Sequence, residues 1–391
     1  MSGRLQFSRM ALLDLLPILP SQTVIGDGGA RAPVARNNAR SEWAASLLKF
    51  GRMARFRGYG RVGGALAGAA WSLAPDLRAA RREVLRHRPR AAGDVPHLGS
   101  VAIGTTGLCN ASCLSCPTGK ASTAHVPRTP MAMPLFRKII DGIEEEGVDI
   151  RHMIGFGLFG DGLLDPHVVE RARYVREKLP DVLLSVNTNA AAYNSARHKA
   201  LRDHVSVIAL HCESLTPETF DRLMAPLRAR NVFAKYERLL DDFPGRVRVS
   251  VPVSRMNLHE LEAMRAWFLA RGAHVVAFDP LSSRCSPDRT VFDALALAPQ
   301  PIRCAPEVMT DLIVDSDGRV LACCQDFERI EPIGDLSRAG FRETMLGVAR
   351  AQFRQRLAEG RHAEVATCSR CHGDVRSANF PFDQLADIAA G

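Results

Sequence analysis

Between Gly99 and Pro280 the chain repeats one pattern, a short apolar run followed by a longer stretch with helical periodicity. The runs SVAIGTT, MIGFGLF, VLLSVN, VSVIALH, VRVSVPV and HVVAFDP read as six strands, since brief apolar, β-branched segments bounded by turn formers suit strands buried on both faces. The stretches between them carry helix starts. Thr216 precedes Pro217 and Glu218, and Asn257 stands three residues before Glu260, both patterns of an N-cap with support in the first turn. Leu261, Met264 and Phe268 then recur at helical spacing, and Gly272 sits where a left-handed residue would end the helix. Repeated strand-helix units require a parallel sheet, doubly wound or closed toward a barrel. In both, chemistry gathers at the C-terminal ends of the strands.

This α/β region is expected over residues 96–295. Before it, residues 1–95 read as a basic, mainly helical segment that ends in the polar link RHRPRAAGDVPH. Residues 31–90 hold fourteen Lys or Arg against three acidic residues, so the net charge of +9 belongs to this segment alone. Three readings stay open for it: a solvated helix or disordered arm, contact with an anionic membrane surface or acidic partner, and nucleic acid. Trp43, Leu47, Leu48, Phe50 and Phe56 interleave with Lys49, Arg52 and Arg55 as in interfacial helices, whereas a nucleic-acid groove would spread its charge over a folded face. The run Val62 to Ala74 is too short to span a bilayer, which takes roughly 20 apolar residues. No secretory signal is evident, because Asp14 and Pro17 break the early apolar run.

Ten cysteines in 391 residues are too dilute for a disulfide scaffold, and most fall in tight clusters. That usage suits a reducing, cytoplasmic setting. The segment GLCNASCLSCPTGK places Cys109, Cys113 and Cys116 in one loop after the first strand. Three ligands are too few for a closed zinc site, but a [4Fe-4S] cluster held by three thiolates leaves one iron open to a small molecule. A zinc site completed from elsewhere and buried inert thiols are the competing readings.

The CxxxCxxC loop resembles the defining motif of the radical SAM enzymes. The resemblance implies a partial (β/α)6 barrel whose open iron is chelated by S-adenosylmethionine (SAM), which is cleaved to a 5′-deoxyadenosyl radical that abstracts a substrate hydrogen. Further segments are similar to the family's cofactor-contacting strand ends, over roughly residues 97–280. Gly160 and Asp161 in LFGDGLLDPH match its glycine-glycine-glutamate-proline stretch, with Phe159 and Gly162 as departures. Asn187 and Asn189 fall at its threonine-asparagine-glycine step, and His211 and Glu213 at its serine-x-acid step, with His211 in place of serine. Ser115 stands where the family carries an aromatic residue that packs near the adenine.

A second cysteine set follows. Cys304, then Gly318 and Cys323 across an expected Asp317-Gly318 hairpin turn between LIV and RVLACC, then the pair Cys368 and Cys371, can close a four-thiolate site. Zinc and iron-sulfur compete for it on ligands alone. The glycine-x4-cysteine hairpin, the step Ile333-Gly334-Asp335 and the final CxxC resemble the SPASM/Twitch extension of radical SAM enzymes in its one-cluster form, expected over residues 296–375 with a tail at 376–391. The resemblance implies a second [4Fe-4S] cluster, an auxiliary one, that conducts electrons. Cys323 is the expected ligand on spacing, with Cys324 as its substitute.

The expected activity is that of a radical SAM oxidoreductase which dehydrogenates or epimerises a sugar-like or aminocyclitol-like substrate, drawing electrons from a reductase such as flavodoxin or ferredoxin. Cys285, in LSSRCSPDR after the sixth strand, is a candidate hydrogen donor, and its neighbour Arg284 a candidate substrate-binding residue or base. A ribosomally made peptide or a cofactor precursor is the alternative substrate. An iron-sulfur electron carrier or zinc protein without turnover is the alternative of another class.

Overall fold

A computed structural model describes residues 91, 93–302, 304 and 310–374, together with the two-residue strand Thr23–Val24 (β1). The basic segment, with its membrane-contact reading, and the tail at 376–391 lie outside the described residues, apart from those few positions.

All six expected strands form: β2 (Val101–Ile103), β3 (Ile154–Phe156), β4 (Leu184–Thr188), β5 (Val207–His211), β6 (Val247–Val253) and β7 (Val275–Pro280). They lie side by side in chain order, and each pairs in parallel with the next. A doubly wound sheet would reverse direction at a switch point. This one does not, so its helices fall on one side and leave an inner face, as in a partial barrel. β6 shows the division by its alternation: Val247, Val249, Val251 and Val253 are fully buried, while Arg248, Ser250 and Pro252 line the inner cavity. On β5, Ile208 and Leu210 take the apolar side, and Ala209 and His211 face the cavity.

Beyond the barrel come β8 (Pro299–Pro301), β9 (Leu312–Val314), β10 (Arg319–Leu321), β11 (Pro332–Asp335) and β12 (His372–Asp374). Part of the cluster region extends the barrel sheet, while β8 and β12 form a two-stranded sheet of their own. β9 pairs in parallel with β2, placing Val101 opposite Leu312, and β10 and β11 continue antiparallel from it. Asp317-Gly318 makes the expected turn between β9 and β10, with Gly318 at φ +95° and no room for a Cβ, which would lie 2.9 Å from Ser337 N. β12 pairs with β8, and Gly373 also bridges to Ser282.

Helix starts are realised unevenly. Thr216 is the N-cap of the helix Pro217–Leu223, and Gly272, at φ +82°, follows the helix Leu261–Ala270 as expected. The capping box expected of Asn257 and Glu260 does not form: residues Leu258–Glu260 make a 3-10 turn, and Asn257 gives no side-chain cap bond. Both side chains are taken instead by backbone and hydroxyl groups of the loop after β5. Asn257 Nδ2 donates to Glu213 O, and the Glu260 carboxylate accepts from Ser214 Oγ, Leu215 N, and Thr216 N and Oγ1. The loop that follows β5 is thereby held in place. Among the described residues, no helix is long and apolar enough to cross a membrane.

Candidate active site

A cavity of about 640 Å³ opens at the C-terminal ends of the barrel strands and reaches the cluster region. Its wall includes Cys109, Cys113 and Cys116 from the loop after β2, and Cys304, Cys323 and Cys371 from the second set.

The cysteine loop is fixed by backbone contacts with the loop after β3. Asp161 N donates to Leu108 O at 2.8 Å, and a Cβ on Gly160 would lie 2.4 Å from that same oxygen. Only glycine permits this approach. The buried Asp161 carboxylate then joins the loops after β3 and β4, accepting from Leu163 N, Thr188 Oγ1 and Asn189 N at 2.8 to 3.0 Å. Burial pushes its pKa up, and those hydrogen bonds pull it back. Asn189 Nδ2 donates to Asn110 Oδ1 at 2.9 Å, inside the cysteine loop. Asn187 and Ser115 line the cavity.

On the facing side, His211 Nε2 lies 3.1 Å from Glu213 Oε1, and ligand atoms of Cys113, His211 and Glu213 lie within 4.8 Å of one another. Burial pushes Cys109 up to about 12 and Cys113 well above its ordinary value. Thiols held neutral around one point are ones that a bound metal would ionise, because a coordinating thiol gives up its proton. The donor set fits a thiophilic iron centre.

The second set also converges. Burial raises Cys304 to about 12, with Cys323 and Cys371 the next charges opposing its ionisation, and Cys368 is raised by burial and then by Cys323, Cys304 and Cys371. Cys324 is buried in an apolar cluster with Phe159, Ile313, Leu321 and Phe327. Of the two adjacent thiols, Cys323 alone lines the cavity.

Arg284 and Cys285 are consecutive left-handed residues, at φ +52° and +53°. Such backbone is costly for residues with a side chain and persists where its surroundings impose it. Here Ser283 N donates to His372 O at 2.7 Å, His372 N to Ser283 Oγ at 3.0 Å and Asp374 N to Leu281 O at 2.9 Å, zipping this segment onto the one that holds Cys371. Arg284 reaches the cavity wall, where its Nη1 donates to Gln325 Oε1 at 3.3 Å and its guanidinium lies over Phe327. Cys285 does not reach it. It is 1% exposed, absent from the cavity wall, and close to Cys371. The expected place of Cys285 on the substrate side is corrected accordingly, since the zipped pairing turns it behind the second thiol set.

Several wall residues escaped the sequence reading: Arg248, Ser250, Asp279, Gln325 and Phe327. A charged residue inside VRVSVPV and an acid closing HVVAFDP were the available signals, but an inner barrel face is not distinguishable from an ordinary strand face before the sheet is known.

Residues 304–372 match the SPASM family, an iron-sulfur cluster-binding domain. No curated protein matches the chain. Among solved structures, BtrN in complex with AdoMet and 2-DOIA is 17% identical with a TM-score of 0.51, over 70% of this chain and 92% of that one. SuiB from Streptococcus suis bound to S-adenosylmethionine is 10% identical, TM-score 0.51, over 80% and 79%. Native anSMEcpe with bound AdoMet is 13% identical, TM-score 0.51, over 74% and 95%. The chain therefore joins the fold of the radical SAM enzymes to a C-terminal SPASM iron-sulfur cluster-binding domain.

Proposed function

We propose that this protein is a radical SAM dehydrogenase acting on a small polar, carbohydrate-like substrate. The observation that carries this reading is the single cavity into which both thiol sets open. Cys109, Cys113 and Cys116 would hold a [4Fe-4S] cluster with one open iron, and Cys304, Cys323, Cys368 and Cys371 would hold a second, closed one. When bound, the first cluster and SAM supply one-electron cleavage of the sulfonium and, with it, hydrogen abstraction from carbon.

The chain's own residues set the rest. Gly160 brings the backbone after β3 against the cysteine loop, and Asp161 ties that backbone to Asn189. Asn187, His211 and Glu213 line the space in which SAM would lie. Arg284 presents a fixed cation to the substrate. It is a binding residue in this reading rather than a base, since a guanidinium does not give up its proton in proteins.

Oxidation is favoured over epimerisation by the thiol inventory. Epimerisation needs a thiol that returns a hydrogen, yet every cysteine on the described cavity wall belongs to one of the two cluster sets. Cys212 and Cys285 are buried elsewhere. The cavity volume falls in the range of small-molecule sites, which supports a small substrate over a peptide. BtrN, of like fold, was crystallised with 2-DOIA. A flavodoxin or ferredoxin would deliver the electron, and ten free cysteines fit a reducing cytoplasm.

The test is turnover of sugar and aminocyclitol candidates in deuterium oxide. The dehydrogenase reading expects a ketone product with no solvent deuterium at the reacting carbon. Recovery of an inverted, deuterated alcohol would replace it with epimerisation.

A further inference from the structure

Arg248, Ser250 and Asp279 stand on the inner face of β6 and β7, where neither the thiols nor the proposed SAM contacts account for them. Arg248 is 4% and Asp279 5% exposed. Burying two charges in a sheet interior costs several kcal/mol per ion, recovered only when their geometry is good. Elsewhere in the molecule buried pairs do have good geometry: Arg329 grips Asp315 through two bonds of 2.7 and 3.0 Å, and Arg171 meets Asp165 at 2.7 Å. Arg248 and Asp279 do not follow suit. Arg248 Nη2 stays 3.8 Å from Asp279 Oδ1.

Ser250 Oγ donates to the other oxygen, Oδ2, and Oδ1 accepts no hydrogen bond at all. A buried acceptor without a donor costs about 1–3 kcal/mol, and folded proteins rarely leave one. This one faces a cavity large enough for a substrate. The charges around it select the missing donor: burial pushes the Asp279 pKa up, while Arg248, His211 and Arg284 balance its negative charge and draw it back. A further cation would be repelled by the two guanidinium groups and an anion by the carboxylate. A neutral hydroxyl meets neither objection.

We propose that Asp279 Oδ1 accepts a hydrogen bond from a substrate hydroxyl, which makes Arg248, Ser250 and Asp279 the recognition floor for a polyhydroxylated substrate. The proposal rests on the carbohydrate-like substrate class put forward above and names the residues that read it.

Protein carrying both clusters and SAM is titrated calorimetrically, without air, with the neutral polyols D-glucose, D-galactose and myo-inositol. The best-bound of these should bind at least tenfold more weakly to Asp279→Asn, which keeps the side chain's shape, and several-fold more weakly to Ser250→Ala, which frees Oδ2. Thermal melts and iron content confirm that each variant is folded, and the second serves if the first is not. Affinities within twofold of wild type in the folded variants, or no binding of any of the three by wild type, overturn the proposal. Release of 5′-deoxyadenosine by wild type is measured alongside. If it occurs while binding is independent of Asp279, this inference fails alone, whereas its absence removes the underlying reading.

Discussion

Cys323 and Cys324 are neighbours in the chain that differ in which of them reaches the cavity. Cys323 faces the cavity and Cys324 the Phe159, Leu321 and Phe327 cluster. Replacing Cys323 by Ala should remove about half of the roughly eight irons that two clusters hold. Replacing Cys324 by Ala should leave the iron in place and cost about 1–2 kcal/mol in a denaturant melt, as for a small truncation in apolar packing. Iron loss from the Cys324 variant instead would reverse the assignment. The place of Cys323 at the cavity accords with the glycine-x4-cysteine spacing, because a tight turn at Gly318 fixes how far the thiol lies from the hairpin tip. Cys285 and Asp279 were not legible in that way. Their surroundings are set by pairing with residues far along the chain, Ser283 with His372 and Ser250 with Asp279, which local spacing cannot show.

The same contrast holds for whole elements. Six apolar runs became six strands because burial on both faces leaves a short apolar segment little alternative, and Gly272 ended its helix as local backbone chemistry requires. Asn257 and Glu260 resembled a helix start and became the clamp of another loop, since four donors after β5 outweighed one cap bond. A second long-range staple joins the turn after β4 to the helix Ala229–Asp242. Asp242 is buried there, which acts to raise its pKa, yet hydrogen bonds from Lys199, Ser195 and Tyr193 and the charge of Arg238 bring it from 3.8 down to about 2. A depressed carboxyl pKa adds stability above its unfolded value that is lost as pH falls through the folded one. Asp242→Asn should therefore destabilise the protein at pH 7 by about 1–2 kcal/mol, discounted because Lys199 and Arg238 are exposed to solvent screening. Urea midpoints should show the gap to wild type closing between about pH 4 and about pH 2. A gap that widens in acid would contradict this account of Asp242.

At the scale of the molecule, the main sheet joins the loop of the first thiol set to the hairpin that carries Cys323. β9 lies beside β2, the strand that leads into the first cysteine loop, and both Cys116 and Cys323 pack against the Phe159, Phe327 and Cys324 cluster. Phe159, a departure from the family glycine, meets Phe327 edge to face at 5.1 Å and lies under the Arg329 guanidinium. The barrel and the cluster region were separable in the sequence, but their union was not, because a parallel pairing between residues more than two hundred positions apart leaves no local trace. The central claim concerns the first thiol set and is tested most directly by 5′-deoxyadenosine. Protein reconstituted with iron and sulfide without air, given SAM and dithionite, should release it, and Cys116→Ala should release none while keeping the iron of its second cluster. No 5′-deoxyadenosine from wild-type protein that holds about eight irons would contradict the account.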